Sequence, residues 1–255
     1  MPTHPFSAPK PWVIAHRGDS GEYPENTLLS FRKAVEKNAD WIELDITYSS
    51  DSRIVVIHDD TMDRTTDKKG EVRHLDFRTI HNADAGSWKD PKFKGEPVPD
   101  LWSVWDFVRS TGLGLNVEIK STAYEEIPID KPIEQELIDY AQKNSVIDRT
   151  LFSSFCWDSL VRLRELSVDA KLGILIGEET PSWQEALELG WRLNAFSLNF
   201  SIRGLDKETV SKIQSEGFKV LAYTLNTEKE LKAGIDLGLD GIFTNYPALM
   251  RSLLT

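Results

Sequence analysis

The chain is poor in cysteine, in basic charge and in long apolar runs, and each shortage excludes a class of protein. It has 255 residues and one cysteine, Cys156, which excludes an internal disulfide and favours a reducing compartment. Lys and Arg number 30 against 41 Asp and Glu, so the net charge is −11. This balance argues against nucleic acid and anionic membranes as partners. No apolar run approaches the ~20 residues of a membrane span.

The first ten residues also lack the apolar segment of a signal peptide. They contain three prolines, Pro2, Pro5 and Pro9, and no apolar core. We therefore expect a cytoplasmic protein. Hydrophobic residues make up 40% of the chain, enough for one large core, so residues 1–255 are predicted to form a single domain.

Short β-like runs alternate with helical patterns along the chain. Leu28, Phe31 and Val35, spaced three and four apart, mark the first helix. Strands are predicted at residues 12–15, 41–47, 114–119, 150–153, 171–176, 195–198, 219–224 and 241–244. About eight strand–helix units in ~250 residues indicate an α/β fold, a closed (β/α)₈ TIM barrel. An open doubly wound sheet is the alternative, but it requires a glycine-rich dinucleotide turn that residues 16–21 do not supply.

Some helix boundaries carry recognisable signals. Ser182 with Glu185, and Thr227 with Glu230, fit the capping box, in which each side chain satisfies the other residue's backbone N–H. Gly190, Gly217 and Gly238 are predicted to lie where helices end.

The interval between the second and third strands is unusually long. About 70 residues separate the starts of these strands, more than one βα unit needs. A β-like run at 53–57 is followed by a polar stretch at 59–70 and a segment rich in Trp and Pro at 87–99. We expect residues 49–100 to form a small insertion after strand 2, at the mouth of the barrel.

Three acidic residues are predicted to meet at that mouth. Glu43 and Asp45 are two apart in a strand, so both face the same side. Glu118 lies at the end of the next predicted barrel strand. Clustered carboxylates suit a hard divalent ion, Mg²⁺ or Ca²⁺ with Mn²⁺ as an alternative. Equally, each carboxylate could pair with Arg17 or Lys120 in a structural salt bridge.

Two histidines end neighbouring β-like runs beside these acids. His16 and His58 are candidates for proton transfer at neutral pH, although a histidine at a strand end is often structural. Arg17 and Lys120 supply fixed positive charge that suits a phosphate. Asn26 is either the cap of the first helix or a ligand-binding group.

Two further residues at later strand ends are candidates for a pocket. Ser153 and Tyr223 would line it, with core packing as the alternative for the tyrosine. Cys156 is expected at a helix start and lacks a dedicated base, which argues against a nucleophilic role.

In the order of its motifs the sequence resembles the glycerophosphodiester phosphodiesterase family. The resemblance covers residues 12–250 and contains five main motifs. They are His-Arg-Gly at 16–18, Pro-Glu-Asn-Thr at 24–27, Glu-x-Asp at 43–45, His-Asp at 58–59 and Glu-x-Lys at 118–120. Asp-Arg-Thr-Thr at 63–66 and Asp-Gly-Ile at 240–242 also match.

The resemblance implies a fold, a cofactor and roles for the motif residues. It implies a barrel with an insertion after strand 2, and one divalent ion. The ion would bind Glu43, Asp45 and Glu118, with His16 and His58 as acid and base and with Arg17 and Lys120 on the phosphate. Two positions depart from the family pattern. The family often has Trp where this chain has Tyr223, and Asp where this chain has Asn245. Neither belongs to the implied catalytic set.

The implied reaction is hydrolysis of a phosphodiester such as glycerophosphocholine or glycerophosphoethanolamine to glycerol 3-phosphate and an alcohol. A lysophospholipase D is one alternative, with an apolar groove built from Trp88, Phe93, Trp102 and Trp105, although for Trp102 and Trp105 we expect burial against the barrel instead. A barrel that binds glycerophosphodiesters without catalysis is the other, although binding alone requires no pair of proton-transfer groups. The expected partner is a small-molecule substrate.

Overall fold

The fold is built from alternating strands and helices around one closed sheet. The computed structural model describes residues 4–125, 131–177, 182–203 and 205–254. Within these ranges the strands are Trp12–His16 (β1), Trp41–Tyr48 (β2), Ile54–Val56 (β3), Gly114–Ile119 (β4), Thr150–Ser154 (β5), Lys171–Ile176 (β6), Ser197–Ser201 (β7), Lys219–Tyr223 (β8) and Gly241–Thr244 (β9). The helices there are Leu28–Glu36 (α1), Phe77–His81 (α2), Leu101–Thr111 (α3), Ser121–Glu125 (α4), Ile133–Lys143 (α5), Trp157–Leu166 (α6), Trp183–Leu193 (α7), Lys207–Ser215 (α8), Glu228–Asp236 (α9) and Pro247–Ser252 (α10).

The sheet closes because β1 pairs with strands from both ends of the strand order. Ile14 pairs with Trp41 of β2, and Trp12 pairs with Gly241 of β9, both in parallel. The strand order is β1-β9-β8-β7-β6-β5-β4-β2-β3, and β3 alone among the described strands is antiparallel to its neighbour. The remaining strands form the (β/α)₈ barrel that the sequence predicts.

Alternation along β2 separates the barrel interior from the layer under the helices. Ile42, Leu44 and Ile46 belong to the main hydrophobic core with the covering helices. Because side chains alternate in a strand, Glu43 and Asp45 face the barrel interior instead. The inward face of β2 thus carries the acidic pair towards its carboxyl end.

Aromatic rings close the amino end of the barrel. The ring of Phe6 lies 4.6 Å from that of Trp41 and 4.7 Å from that of Phe196. Trp12, the first residue of β1, packs with them. Gly114 opens β4 against Trp41, where a Cβ atom would lie 2.3 Å from the indole. This end of the barrel is therefore a packed apolar plug.

The predicted insertion after strand 2 forms a lobe beside the carboxyl end of β2. Its strand β3 pairs with β2 through Ile46 and Val56. The lobe has its own apolar cluster, formed by Val55, Ile57, Met62, Val72, Ile80, Ala83, Ala85 and Val98. Residues 49–100 therefore have a fixed position next to the mouth of the barrel.

The helices follow the predicted signals with one exception. Both predicted capping boxes are present, at the starts of α7 and α9. The predicted helix end at Gly190 is wrong, because α7 continues to Leu193 and Asn194 ends it with a left-handed φ of 45°. Gly190 is needed for packing, since a Cβ there would lie 2.9 Å from the Phe218 ring. Of the helices described, none is long and apolar enough to cross a bilayer.

Candidate active site

Three carboxylates meet at the carboxyl ends of β2 and β4. The strand register places Asp45 opposite Glu118, two positions beyond the pair formed by Glu43 and Asn116. One oxygen from each of Glu43, Asp45 and Glu118 lies within 4.8 Å of the others. Burial, together with the charge of Asp45, raises the pKa of Glu118 to about 7 and that of Glu43 well above its ordinary value. The cluster therefore favours a compensating cation.

Positive side chains compensate two of the three acids. Arg17 Nε lies 3.1 Å from Asp45 Oδ2, and Lys120 Nζ lies 3.5 Å from Glu118 Oε1. Burial acts to raise the pKa of Asp45, but Arg17, His58 and Lys120 outweigh it, so this pKa is lowered. Asp45 and Glu118 therefore each form a salt bridge with a basic residue, which is the alternative to metal binding that the sequence left open.

Glu43 differs from the other two acids. Its Oε2 accepts the backbone N–H of Arg17 at 2.8 Å, and its Oε1 is buried with no hydrogen-bond partner in the described ranges. A buried carboxylate oxygen left in this way is costly unless a cation or proton satisfies it. The donor set, three acidic oxygens and no sulfur or imidazole, could therefore hold a hard divalent ion.

His16, at the end of β1, is oriented by the last strand of the barrel. Its Nδ1 lies 2.7 Å from Oδ1 of Asn245, and its Nε2 lies 4.0 Å from Glu43 Oε2. Burial and then the charge of Arg17 lower the pKa of His16 to about 4. An amide oxygen only accepts hydrogen bonds, so Nδ1 carries the proton and Nε2 has a free lone pair.

His58, in the lobe just after β3, has a charged partner instead. Its Nδ1 lies 2.6 Å from Oδ1 of Asp59. A hydrogen bond from Arg64, and then one from His58, hold the pKa of the Asp59 carboxyl well below its usual range despite partial burial. The two histidines are therefore paired differently, His16 with a neutral amide and His58 with an anion.

Both histidines line one cavity of about 220 Å³ that has a charged wall and an apolar wall. The charged wall consists of His16, Arg17, Glu43, His58, Asn116, Glu118 and Lys120. The opposite wall consists of Phe155, Leu175, Tyr223, Thr224 and Phe243. The hydroxyl of Tyr223 donates to the carbonyl oxygen of Ile176 at 2.6 Å, which leaves the ring to face the cavity. Such a cavity fits a ligand with an anionic and a less polar part.

The remaining predicted site residues lie outside this cavity. Asn26 does not cap α1, since Thr27 does; it is buried and donates from Nδ2 to Asp45 Oδ2 at 3.0 Å. Ser153 is fully buried and accepts a hydrogen bond from Asn116 Nδ2 at 3.0 Å. Ser153 therefore lies in the barrel interior below the cavity and contacts its lining through Asn116, a supporting position rather than a place in the lining itself.

The apolar groove that a lysophospholipase D would need is not built along this cavity by the four aromatic residues considered for it, and Trp102 and Trp105 pack against the barrel as expected. Trp102 and Trp105 stack with Tyr140 at centroid distances of 4.2 and 5.1 Å, among the helices that cover the barrel. Trp88 lies over Arg64 at 5.9 Å, and Phe93 packs on Tyr23 at 5.4 Å. None of the four predicted groove residues lines the cavity.

Sequence reasoning missed several residues around the site. Asn116 and Leu175 line the cavity, and their inward position at the middle of a strand was readable from the alternation. The contacts between Glu25 and Arg64 could not be predicted from the sequence, because they join segments that only the tertiary fold brings together.

The fold and this rim are typical of a barrel enzyme, with histidine, acidic and basic side chains together at the carboxyl ends of the strands. The chain matches the glycerophosphoryl diester phosphodiesterase family over residues 16–249. A glycerophosphodiester phosphodiesterase from Caldanaerobacter subterraneus subsp. tengcongensis is 35% identical, over 96% of this chain and 98% of that one. One from Bacillus subtilis is 31% identical over 94% and 85% of the two chains.

The same relationship is visible in solved structures. A phosphodiesterase from Oleispira antarctica, in complex with the product sn-glycerol-3-phosphate, is 34% identical with a TM-score of 0.81 and 96% coverage of both chains. The chain belongs to the glycerophosphoryl diester phosphodiesterase family, and it is a phosphoric diester hydrolase.

Proposed function

We propose that this enzyme hydrolyses small glycerophosphodiesters, such as glycerophosphocholine and glycerophosphoethanolamine, to sn-glycerol 3-phosphate and an alcohol. The observation that supports this most directly is the convergence of acids, histidines and cations on one wall of a single cavity. The similar Oleispira antarctica enzyme with bound sn-glycerol-3-phosphate supports the choice of product.

The cofactor in this proposal is one divalent cation, Mg²⁺ or Ca²⁺, with Mn²⁺ as an alternative. Glu43, Asp45 and Glu118 would hold it, because their oxygens already converge within 4.8 Å. Such an ion, when bound, neutralises charge that develops on phosphoryl oxygens. Arg17 and Lys120, at the same rim, would bind the phosphate and add fixed positive charge.

The two histidines would move the protons. His16, neutral and with its lone pair on Nε2, takes the proton of the nucleophile while the new oxygen–phosphorus bond forms. His58, whose Nδ1 is held by the Asp59 carboxylate, gives a proton to the leaving alkoxide as its bond to phosphorus breaks. This assignment follows from their different partners, since a neighbouring carboxylate stabilises imidazolium and a neutral amide does so less.

Two nucleophiles fit these roles, water and the glycerol hydroxyl of the substrate itself. The second route passes through a cyclic phosphate, which a slowed variant would accumulate in a single turnover. A single turnover without any cyclic phosphate identifies direct attack by water.

The experiment that tests the function is release of glycerol 3-phosphate from both substrates by metal-stripped protein. Mg²⁺, Ca²⁺ or Mn²⁺ is then restored, in parallel with His16→Ala and His58→Ala. We expect metal-dependent release that both substitutions abolish. Release that survives in either variant contradicts the two-histidine scheme.

A comparison of substrates separates this function from that of a lysophospholipase D. The apolar wall at Phe155, which is 40% exposed, is short, and the tryptophans do not extend it. We therefore expect faster turnover of glycerophosphocholine than of lysophosphatidylcholine. A strong preference for the lysolipid overturns the proposal, and ligand binding without turnover under any ion favours a non-catalytic barrel.

A further inference from the structure

Behind the cavity, one arginine of the lobe binds two carboxylates at once. Arg64 donates from Nε and Nη2 to the two oxygens of Asp59, at 2.6 and 2.9 Å. It donates from Nη1 and Nη2 to the two oxygens of Glu25, at 2.9 and 2.8 Å. Two edges of one planar guanidinium are therefore occupied, each by a bidentate carboxylate.

Each carboxylate also contacts a residue of the proposed site. Asp59 Oδ1 lies 2.6 Å from Nδ1 of His58. Glu25 Oε1 accepts a hydrogen bond from Arg17 Nη1 at 3.0 Å. Arg64 thus stands at the centre of a chain of contacts that runs from the acid–base histidine to the phosphate-binding arginine.

The two halves of this chain come from different segments. Asp59 and Arg64 belong to the lobe, whereas Arg17 and Glu25 belong to the loop between β1 and α1. Burial acts to raise the pKa of Glu25, but hydrogen bonds from Arg64 and Arg17 outweigh it and lower this pKa. Both carboxylates are therefore ionised at neutral pH, and the arginine in turn stays paired.

Other contacts already attach the lobe to this loop. Lys89 Nζ donates to the carbonyl oxygen of Ser20 at 2.8 Å, and Phe93 packs on Tyr23 at 5.4 Å. Strand β3 adds its ladder with β2. Loss of Arg64 would therefore leave the lobe in place while removing the link between Asp59 and Glu25.

We propose that Arg64 is a positioning residue that fixes His58 and Arg17 relative to each other across the cavity. The proposal deepens the proposed function and rests on it, since it concerns the same substrate phosphate. A lysine at this position would keep the charge but lack the fork that binds two carboxylates on two edges. The positioning of His58 and Arg17 therefore depends on the planar geometry of the Arg64 guanidinium and not on its charge alone.

The first test compares Arg64→Lys with the wild type on glycerophosphocholine. We expect kcat to fall about 10- to 100-fold, because small misplacement of catalytic groups has effects of this size. KM should rise as well, since Arg17 loses its support through Glu25. Arg78→Lys, at an exposed arginine of the same lobe, should change neither constant. Unchanged kinetics of Arg64→Lys overturn the proposal.

The two branches can be separated by single substitutions. Asp59→Asn should lower mainly kcat, through His58, and Glu25→Gln should raise mainly KM, through Arg17. Arg64→Gly should regain activity when guanidinium is added, but not when ammonium is added. Equal effects of both branch variants on both constants, or no selective rescue, point to a merely structural role and overturn the proposal.

A spectroscopic measurement separates failure of this inference from failure of the proposed function. The ¹⁵N signal of the Arg64 Nε–H should exchange slowly with solvent in the wild type. It should exchange faster in Asp59→Asn, because Nε–H donates to Asp59, and the Nη–H signals should exchange faster in Glu25→Gln, because they donate to Glu25, whatever the substrate of the enzyme. If the wild type releases no glycerol 3-phosphate yet this signal behaves as expected, the function is wrong and the linkage stands; if the signal is unprotected in the wild type, the linkage is wrong.

Discussion

The two ends of the barrel interior are built from the same strands and yet have opposite chemistry. On β2, Trp41 lies at the amino end and packs into the aromatic plug, whereas Glu43, two residues further on the same face, lies in the acidic cluster. On β1, Trp12 likewise lies in the plug at the amino end, and His16 lines the cavity at the carboxyl end. The amino ends of the strands therefore hold the fold together, and the carboxyl ends hold groups whose charges oppose it.

The difference teaches how the acidic cluster is tolerated. Buried like charges destabilise the metal-free fold, as the raised pKa of Glu43 indicates. The two tryptophans of the plug are buried, with Trp12 and Trp41 exposed by 1% and 2%, and burial of such rings stabilises a fold by several kcal/mol. Substitutions at Trp41 and at Glu43 of β2 should therefore change the stability and the activity of the protein separately.

The largest expected effect is on activity at the acidic end. Glu43→Gln removes one of the three proposed metal ligands, and we expect kcat/KM for glycerophosphocholine to fall at least ~1,000-fold, equivalent to ~4 kcal/mol. The free energy of unfolding of the metal-free protein should stay the same or rise, because one buried charge is gone. Calorimetric titration with Mg²⁺ should show weaker binding than in the wild type. A large loss of stability in Glu43→Gln would contradict the comparison.

Next is stability at the plugged end. Trp41→Ala should lower the free energy of unfolding by ~3–5 kcal/mol, because a large buried ring leaves a cavity. Trp41→Phe should cost less, since the indole N–H of Trp41 has no hydrogen-bond partner among the residues described. Denaturant unfolding measures both, and kcat of the folded fraction should stay within about threefold of the wild type. A kcat loss as large as that of Glu43→Gln would show that the two ends are not separable.

A smaller effect is expected where the last strand supports His16. Asn245→Leu should lower kcat ~10- to 100-fold, because Nδ1 of His16 loses its acceptor. Asn245→Asp should keep more activity, but the acid limb of its kcat/KM profile should move to higher pH, since a carboxylate stabilises the protonated imidazole. A profile that extends below the pKa of His16, which is about 4 in the wild type, tests the direction. An unshifted limb would argue against His16 as the base.

The smallest effect concerns Asp19, which follows the site in the loop after β1. Burial, and then the charge of Glu22, raise its pKa to about 6, and its Oδ2 has no hydrogen-bond partner within the described ranges. The Asp19 carboxyl group therefore binds a proton more tightly in the native state than in the unfolded chain. Protonation of this group contributes fully to stability below about pH 4, and the contribution is lost as the pH rises through 6. Asp19→Asn should be more stable than the wild type by about 1–2 kcal/mol at pH 7.5, with no difference at pH 4.

Unfolding in urea at the two pH values tests this last prediction. Asp169→Asn, at an exposed position, is the control and should change the free energy of unfolding by less than ~0.5 kcal/mol. A stabilisation of Asp19→Asn that is equal at both pH values would mean that its titration is not the cause.

The sequence predicted the barrel well because its evidence is local and repeated. Alternation places Glu43 and Asp45 on one face, and the capping box at Thr227 and Glu230 needs only four residues. Asn26 was ambiguous for a local reason too: it has a φ of 56°, and side-chain direction in such a turn does not follow strand or helix periodicity. Its contact with Asp45 is therefore visible only in the folded chain.

Other site features depend on contacts between distant segments. Ser153 ends a predicted strand, but periodicity does not indicate the depth at which a side chain lies inside a barrel. Tyr223 and Phe155 face each other in a T-shaped pair with centroids 5.9 Å apart, which no spacing in the sequence indicates. The role of each motif residue could be inferred from resemblance, whereas its supporting partners could not.

The closure of the barrel by β9 also has a consequence for the order of events during synthesis. β1 leaves the ribosome before β9, because its neighbour β9 and the acceptor for His16, Asn245, are made more than 200 residues later. A nascent chain that still lacks β9 can hold all three acidic residues and neither a closed barrel nor an oriented His16. Activity of the enzyme should therefore begin only after β9 and Asn245 have emerged, however early the preceding strands pair.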